Sequence, residues 1–281
     1  MGADVKTTTV APLCLERATQ MDIVEAVNAA YEASHAKERV RAVVLTNPVN
    51  PLGTCYSEDV LRRILEFCDA RGMHLVSDEA YATSALRRAD ECSQPFVSVL
   101  ALKGDDATKG VTGPSRKVHV IWTMSKDFGC SGLRMGCIIS QANLALRLGS
   151  GLATYWQTSS LASVVATSLL GSVRLPDLMQ KNSKRLGTAY RQMADGLANL
   201  GIKFIPANYG LFVFAKVGSH CRTEADEDDM IAQLAERGLI VAPGRKFSCG
   251  KNEHGWARIT FAVPAERIEN ALDVLGAYLA A

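Results

Sequence analysis

The feature that most constrains the fold is an alternation between short, unbroken apolar runs and longer stretches with helical periodicity. Residues 41–46 read RAVVLT, a continuous apolar run of the kind found in strands buried on both faces. An amphipathic segment precedes it, from Thr19 to about Ala36. There Ile23, Ala26, Val27, Ala30 and Tyr31 share one face, and Thr19 can cap the first turn. A second helix is predicted from Ser57, with Glu58 and Asp59 in its first turn, where the helix dipole favours acids. Its stripe is Val60, Leu61, Ile64, Leu65 and Cys68, and Gly72 ends it. Met73–Val76 is the next strand. The order helix, strand, helix, strand implies parallel strands joined by crossover helices, an α/β fold. Val118–Thr123 (VHVIWT) and Met135–Ser140 (MGCIIS) add two strands. The polar stretch between Arg87 and Lys117 reads mostly as surface loop.

Beyond Leu170 the pattern changes. Leu186, Ala189, Tyr190, Met193 and Leu197 follow helical spacing. Then come a strand at Leu211–Ala215, a helix at Met230–Arg237 ended by Gly238, and strands at Ile240–Val241 and Arg258–Ala262. A last helix opens at Pro264. Mixed elements over about a hundred residues suit a small α+β unit. The 281 residues therefore divide into a large domain over 1–172 and a small one over 173–281. Composition is ordinary for a globular protein, and a net charge of +2 gives no reason to expect nucleic acid or an anionic membrane as partner. No apolar run approaches membrane-spanning length, and the first residues lack the pattern of a secretory signal. The eight cysteines form no C-x-x-C pair and have no metal-like spacing with His. Reduced thiols in a cytoplasmic protein, with no metal, is the expectation.

Four local features sit at strand boundaries. Thr46–Gly53 (TNPVNPLG) is a sharp loop at a strand's C-terminal end, where open α/β sheets bind ligands, and Asn50 can donate to a ligand oxygen. Alone, it also reads as a plain turn. Asp78 and Tyr81 follow the strand Met73–Val76. An acid emerging from an apolar run needs a partner, such as a cationic ring nitrogen, unless it is an exposed cap. Lys126 follows VHVIWT, with Thr123 and Ser125 before it and Arg134 after it. A lysine at the rim of an apolar site loses solvation, which favours the nucleophilic amine. Two hydroxyls and a guanidinium beside it suit a phosphate. Arg258 lies in the apolar run RITFA; its planar fork matches a carboxylate if the side chain points inward, and period-two alternation allows it to point outward instead.

Taken together, TNPVNPLGT, HLVSDEAY, SKDFGCSGLRMG, YGLFVF, VAPGRKFSC and GWARITFA resemble the class I/II aminotransferases of fold type I. Within them the chain is most similar to the 1-aminocyclopropane-1-carboxylate synthase-like branch, from about residue 9 onward. The resemblance implies a pyridoxal 5′-phosphate cofactor, an α-amino acid substrate and a homodimer. It implies that Lys126 forms the Schiff base, Asp78 pairs with the pyridine nitrogen, and Asn50 and Tyr81 bond the ring's phenolic oxygen. Thr123, Ser125 and Arg134 would hold the phosphate and Arg258 the substrate carboxylate. Transamination, β/γ-elimination, ring closure and carbon–sulfur cleavage all remain open. The family's glycine-rich phosphate loop and ring-stacking aromatic have no counterpart before Asn47. A large domain lacking its N-terminal part, with an exposed sheet edge and uncovered apolar surface, is therefore expected. A catalytically impaired homologue with a structural or interaction role is the alternative to an active enzyme.

Overall fold

The computed structural model describes residues 20–86, 94–102, 104–106, 111–113, 115–153, 157–247 and 253–280. Helix α1 (Gln20–Glu32) leads into β1 (Ala42–Thr46), α2 (Glu58–Ala70) and β2 (His74–Asp78). Then come a hairpin of β3 (Gly104–Asp106) and β4 (Val111–Gly113), β5 (Val118–Thr123), the one-turn α3 (Met124–Asp127) and β6 (Gly136–Ile139). Strands β1, β2 and β5 are parallel neighbours in that order, and β6 closes the sheet antiparallel to β5. Ser57 caps α2, its side chain accepting from Val60 N at 3.3 Å. The apolar stripe of α2 then lies against one face of the sheet. Leu61, Ile64, Leu65 and Cys68 pack there with Leu45, Leu75, Val118, Val120 and Val27 of α1. Burial pushes the Cys68 thiol up to about 12.

The opposite face is open. Val44 is 66% and Ile138 57% exposed, and Ile121 joins them. Cross-strand partners share a face, so the register Ile121↔Ile138 and Val44↔Val76 places these side chains together. His74 and His119 also lie on this face, their ring nitrogens 2.8 Å apart, and His119 reaches Ser140 Oγ at 2.9 Å.

Helices α4 (Leu144–Leu152) and α5 (Ser160–Leu170) lead to the long α6 (Leu175–Asn199). A second sheet follows, all antiparallel, in the order β7 (Phe204–Ile205), β8 (Phe212–Lys216), β10 (Trp256–Thr260) and β9 (Ala242–Pro243). Its helices are α6, α7 (Glu224–Glu236) and α8 (Ala265–Leu279). One face carries Val213, Ala215, Ala257 and Ile259, which pack on Tyr190, Met193, Leu197, Met230, Leu234, Ile268 and Leu275. The other presents Phe212, Phe214, Trp256 and Arg258, since β8 and β10 pair Arg258↔Phe214 and Trp256↔Lys216.

Several boundaries move. Helix α1 stops at Glu32, earlier than expected, and Thr19 lies outside the described residues. No strand forms at Ile240–Val241; pairing with β10 falls on Ala242–Pro243, and Ile240 is 88% exposed. Helix α7 starts six residues before Met230, because Thr223 and Asp226 form a capping box upstream of the apolar stripe. The stretch 87–117 is not all surface loop: Val99 is fully buried in a 3₁₀ turn (Val99–Ala101), and the β3–β4 hairpin follows. Among the described residues no single helix is long and apolar enough to cross a membrane, and no cluster of three or more His, Cys, Asp or Glu is disposed to hold a metal.

Candidate active site

Loops at the C-terminal ends of β1, β2 and β5 meet the second sheet. Gly53 makes this close approach possible. Its φ is +68°, and a Cβ there would lie 2.6 Å from both Ala207 Cβ and Tyr209 O. Its carbonyl accepts from Asn208 N and Tyr209 N, while Gly210 N donates to Ser84 O. Asn47 is fully buried and holds the same loop in place. Its Nδ2 donates to Val97 O, and its Oδ1 accepts from Tyr56 N.

At this junction Arg258 meets Asn50. Arg258 Nη1 donates to Asn50 Oδ1 at 2.8 Å, across 208 residues of sequence. The guanidinium lies over two aromatic rings, 5.0 Å from the Phe212 centroid and 4.8 Å from that of Phe247. Arg258 therefore points inward. Its Nε is buried with no hydrogen-bond partner. Tyr81 is buried against Phe212, ring edge to ring face at 5.3 Å. Burial holds the Tyr81 phenol above its usual range, with Arg258 pulling it the other way. Asp78 ends β2, and its Oδ1 accepts from Ala80 N at 3.1 Å.

A second group forms on the neighbouring strand. Asp78 pairs in register with Ile121, so the end of β5 lies beside the end of β2. Thr123 caps α3: its Oγ1 accepts from Ser125 N at 3.1 Å and donates to Met135 O at 2.9 Å, with Ser125 Oγ also at 2.9 Å. Lys126 is on the same turn. Its neighbour Asp127 is buried, accepting from Thr83 N at 3.0 Å and Ser84 Oγ at 2.5 Å, which ties α3 to the Tyr81 segment. Burial raises the Asp127 carboxyl above its usual range, and the bonds from Ser84 and Thr83 oppose this. Glu79, also buried, is raised by the same cause and accepts from Val99 N at 3.0 Å.

Two of the sequence expectations are not met. Lys126 is exposed, not desolvated at an apolar rim; α3 runs off β5 where Ile121 and Ile138 are themselves open to solvent. Arg134 is exposed too, and its Nη1 donates to Ser131 O at 3.1 Å instead of joining Thr123 and Ser125. Arg134 has φ +49°, the only described residue other than glycine in the left-handed region. The cavity onto which Lys126 opens, about 400 Å³, is lined with Phe128, Asn182, Arg185, Leu211 and Pro264, and neither Asp78 nor Arg134 reaches it. The structure thus brings Asn50, Tyr81 and Arg258 together, and Thr123, Ser125 and Lys126 together. Asp78 stands at the strand end between the two groups. Phe212, Phe247 and Asp127 join the site without having been singled out in the sequence. Phe212 alone carried a signal, since it shares the inward parity of Arg258 once the strands are paired.

Comparison with known proteins identifies the family and the fold. The profile of the family described as aminotransferase class I and II matches residues 7–275. A probable aminotransferase, aclI of Aspergillus oryzae, is 41% identical over 251 residues, covering 89% of this chain and 58% of that protein. 1-Aminocyclopropane-1-carboxylate synthase 1 of Oryza sativa subsp. indica is 33% identical over 261 residues, 90% of this chain and 52% of that protein. The aspartate aminotransferase of Thermotoga maritima superposes with a TM-score of 0.72 at 19% identity, over 91% of this chain and 60% of that one. The chain spans less than two thirds of the length of each of these relatives. The α/β architecture is that of the fold-type I aminotransferases, and the chain belongs to the aminotransferase class I and II family.

Proposed function

We propose that the chain is part of a pyridoxal-phosphate-dependent enzyme acting on an α-amino acid, an aminotransferase or a 1-aminocyclopropane-1-carboxylate synthase-like lyase. One observation carries the reading: the half-buried Arg258, in contact with two aromatic rings and held by Asn50, keeps a buried, unpartnered Nε–H. A buried donor without a partner is costly, and a carboxylate satisfies it with fork geometry. The donor set at the strand ends fits the cofactor. Asp78 offers an anion for a protonated ring nitrogen, Asn50 and Tyr81 polar groups for the ring oxygen, Thr123 and Ser125 hydroxyls for the phosphate, and Lys126 an amine. Arg134 would join the phosphate only after releasing Ser131 O.

When bound, pyridoxal phosphate supplies an electron sink for charge developing at the substrate α-carbon. The protein's own residues do the rest. Arg258 binds and orients the α-carboxylate, with Phe212 and Phe247 excluding water from its faces. Lys126 Nζ would hold the cofactor and would serve as the base for a proton at the substrate α-carbon. Transamination, elimination with or without carbon–sulfur cleavage, and ring closure share this proton transfer. Assaying keto acid against released ammonia separates the first two.

The same proposal includes a homodimer in the cytoplasm and a division at residues 172/173, the last supported by the two separate apolar cores. The exposure of Lys126 favours a second reading, an impaired homologue that binds cofactor poorly. Mixing the purified chain with pyridoxal phosphate decides between them. An absorbance band near the visible edge that is lost in Lys126→Ala is expected; no band in the wild-type chain overturns the enzymatic reading.

A further inference from the structure

Glu227 is a buried carboxylate for which the reading above has no use. It lies on the first turns of α7, is 1% exposed, and makes two backbone contacts far apart in sequence. Its Oε1 accepts from Arg245 N at 3.2 Å, and its Oε2 accepts from Gly255 N at 3.0 Å. One carboxylate thus ties together both ends of the segment 245–255. The tie bears directly on Arg258. Arg245 lies in the short turn (Gly244–Phe247) that ends with Phe247, whose ring lies at the Arg258 guanidinium and meets Phe214 edge-on at 6.0 Å. Gly255 is the last residue before β10, which carries Arg258 itself. Its surroundings admit no side chain: φ is +77°, and a Cβ would lie 2.0 Å from Gly218 O. On the other side of the turn, a Cβ on Gly244 would lie 2.8 Å from Trp256 Cβ. Asp228, next to Glu227, pairs with the exposed Arg245 side chain.

We infer that Glu227 is a positioning residue for the substrate-carboxylate site, keeping Phe247 at Arg258 by holding the Arg245 and Gly255 amides on one carboxylate. This rests on the reading of Arg258 as the carboxylate-binding group. The clamp requires two acceptor oxygens on one side chain. Glutamine has the same size and offers only one, with its NH₂ turned toward the other N–H. Aspartate keeps both oxygens and is one methylene shorter.

The test follows the Arg258 Nε–H resonance by ¹⁵N NMR while propionate, and separately propylamine, is titrated into the full chain. In the wild type, propionate moves the resonance and propylamine does not. If propionate leaves it unmoved, the reading of Arg258 fails, and this inference with it. Where the wild type responds, Glu227→Gln and Glu227→Asp should each weaken propionate at least about tenfold. Phe247→Leu should weaken it to a similar extent, and adding it to Glu227→Gln should weaken it little further. Unchanged propionate affinity in a folded Glu227 variant, or fully additive losses, overturns the clamp. Hydrogen exchange on the wild-type chain gives a measure that needs no variant. The amides of Arg245 and Gly255 should open together with matching protection, and widely different protection refutes the shared carboxylate.

Discussion

Arg258 concentrates the energetics of the site in one side chain. Its Nη1 donor is spent on Asn50 and its Nε donor is buried and unused, so a carboxylate arriving there gains charge-assisted hydrogen bonds without displacing a protein partner. Such bonds contribute roughly 1.5–3 kcal/mol each. Arg258→Met should therefore cost about 3 kcal/mol of carboxylate binding, roughly a hundredfold in affinity, in the propionate titration. A change below about threefold would remove Arg258 from that role. Elsewhere at this scale, His119 is buried, stacks on His74 and is held below its usual range, first by burial and then by the charge of His74. The folded state thus favours the neutral ring. The stability this contributes is complete above the unfolded pKa of 6.5 and is lost as pH falls through the lower folded value. Glu79 and Asp127, both raised by burial, act with the opposite sign: their contribution is present below their unfolded values and lost as pH rises through the folded ones. The urea midpoint of the wild type should fall as pH drops below 6.5, and His119→Gln should flatten that part of the profile. An equal slope in the variant would assign the fall to other groups.

At the scale of elements, capping and strand parity decide most of what happens. Helix α7 begins where Thr223 and Asp226 satisfy each other's backbone donors, not where its apolar stripe begins. That places Glu227 in the first turns of the helix, facing Gly255. Thr223→Ala should cost about 1 kcal/mol in chemical denaturation. It should also lower hydrogen-exchange protection at Arg245 and Gly255 if the start of α7 carries the clamp. Strands were legible in the sequence because their apolar runs are short and continuous: Val118–Thr123 forms with the limits its composition suggests. Helices α4 and α5 were not, because their apolar residues largely face outward. Leu144, Leu148, Leu152, Leu161 and Val164 are all exposed, so the apolar residues of these helices do not mark a face buried against the sheets.

For the whole molecule, the open sheet face has the largest consequence. Val44, Ile121 and Ile138 together make an exposed apolar surface beside the edge strands β1 and β6, the kind of surface that drives association. Replacing Val44 and Ile138 by Ser should raise the concentration at which the chain stays monomeric in sedimentation velocity, with little loss of stability since neither side chain is buried. A lower melting temperature with unchanged association would mean that these residues are covered in solution. The same openness accounts for the exposure of Lys126 and Arg134. Lys126 follows the end of β5 and Arg134 precedes the start of β6, and nothing among the described residues closes over them.

What the sequence determined by itself was local. Short apolar runs, helix caps and glycine stops set the order of elements, and the residue types at strand ends named a chemistry, because these depend on neighbours a few positions away. Only the tertiary structure decided what depends on distant partners. It brought Asn50 to Arg258 across 208 residues, set Phe212 and Phe247 on the guanidinium, and joined Arg245 and Gly255 on one carboxylate. It also left one face of the first sheet open. Burial and pairing of this kind arise when separate segments pack, and no stretch of sequence encodes them alone.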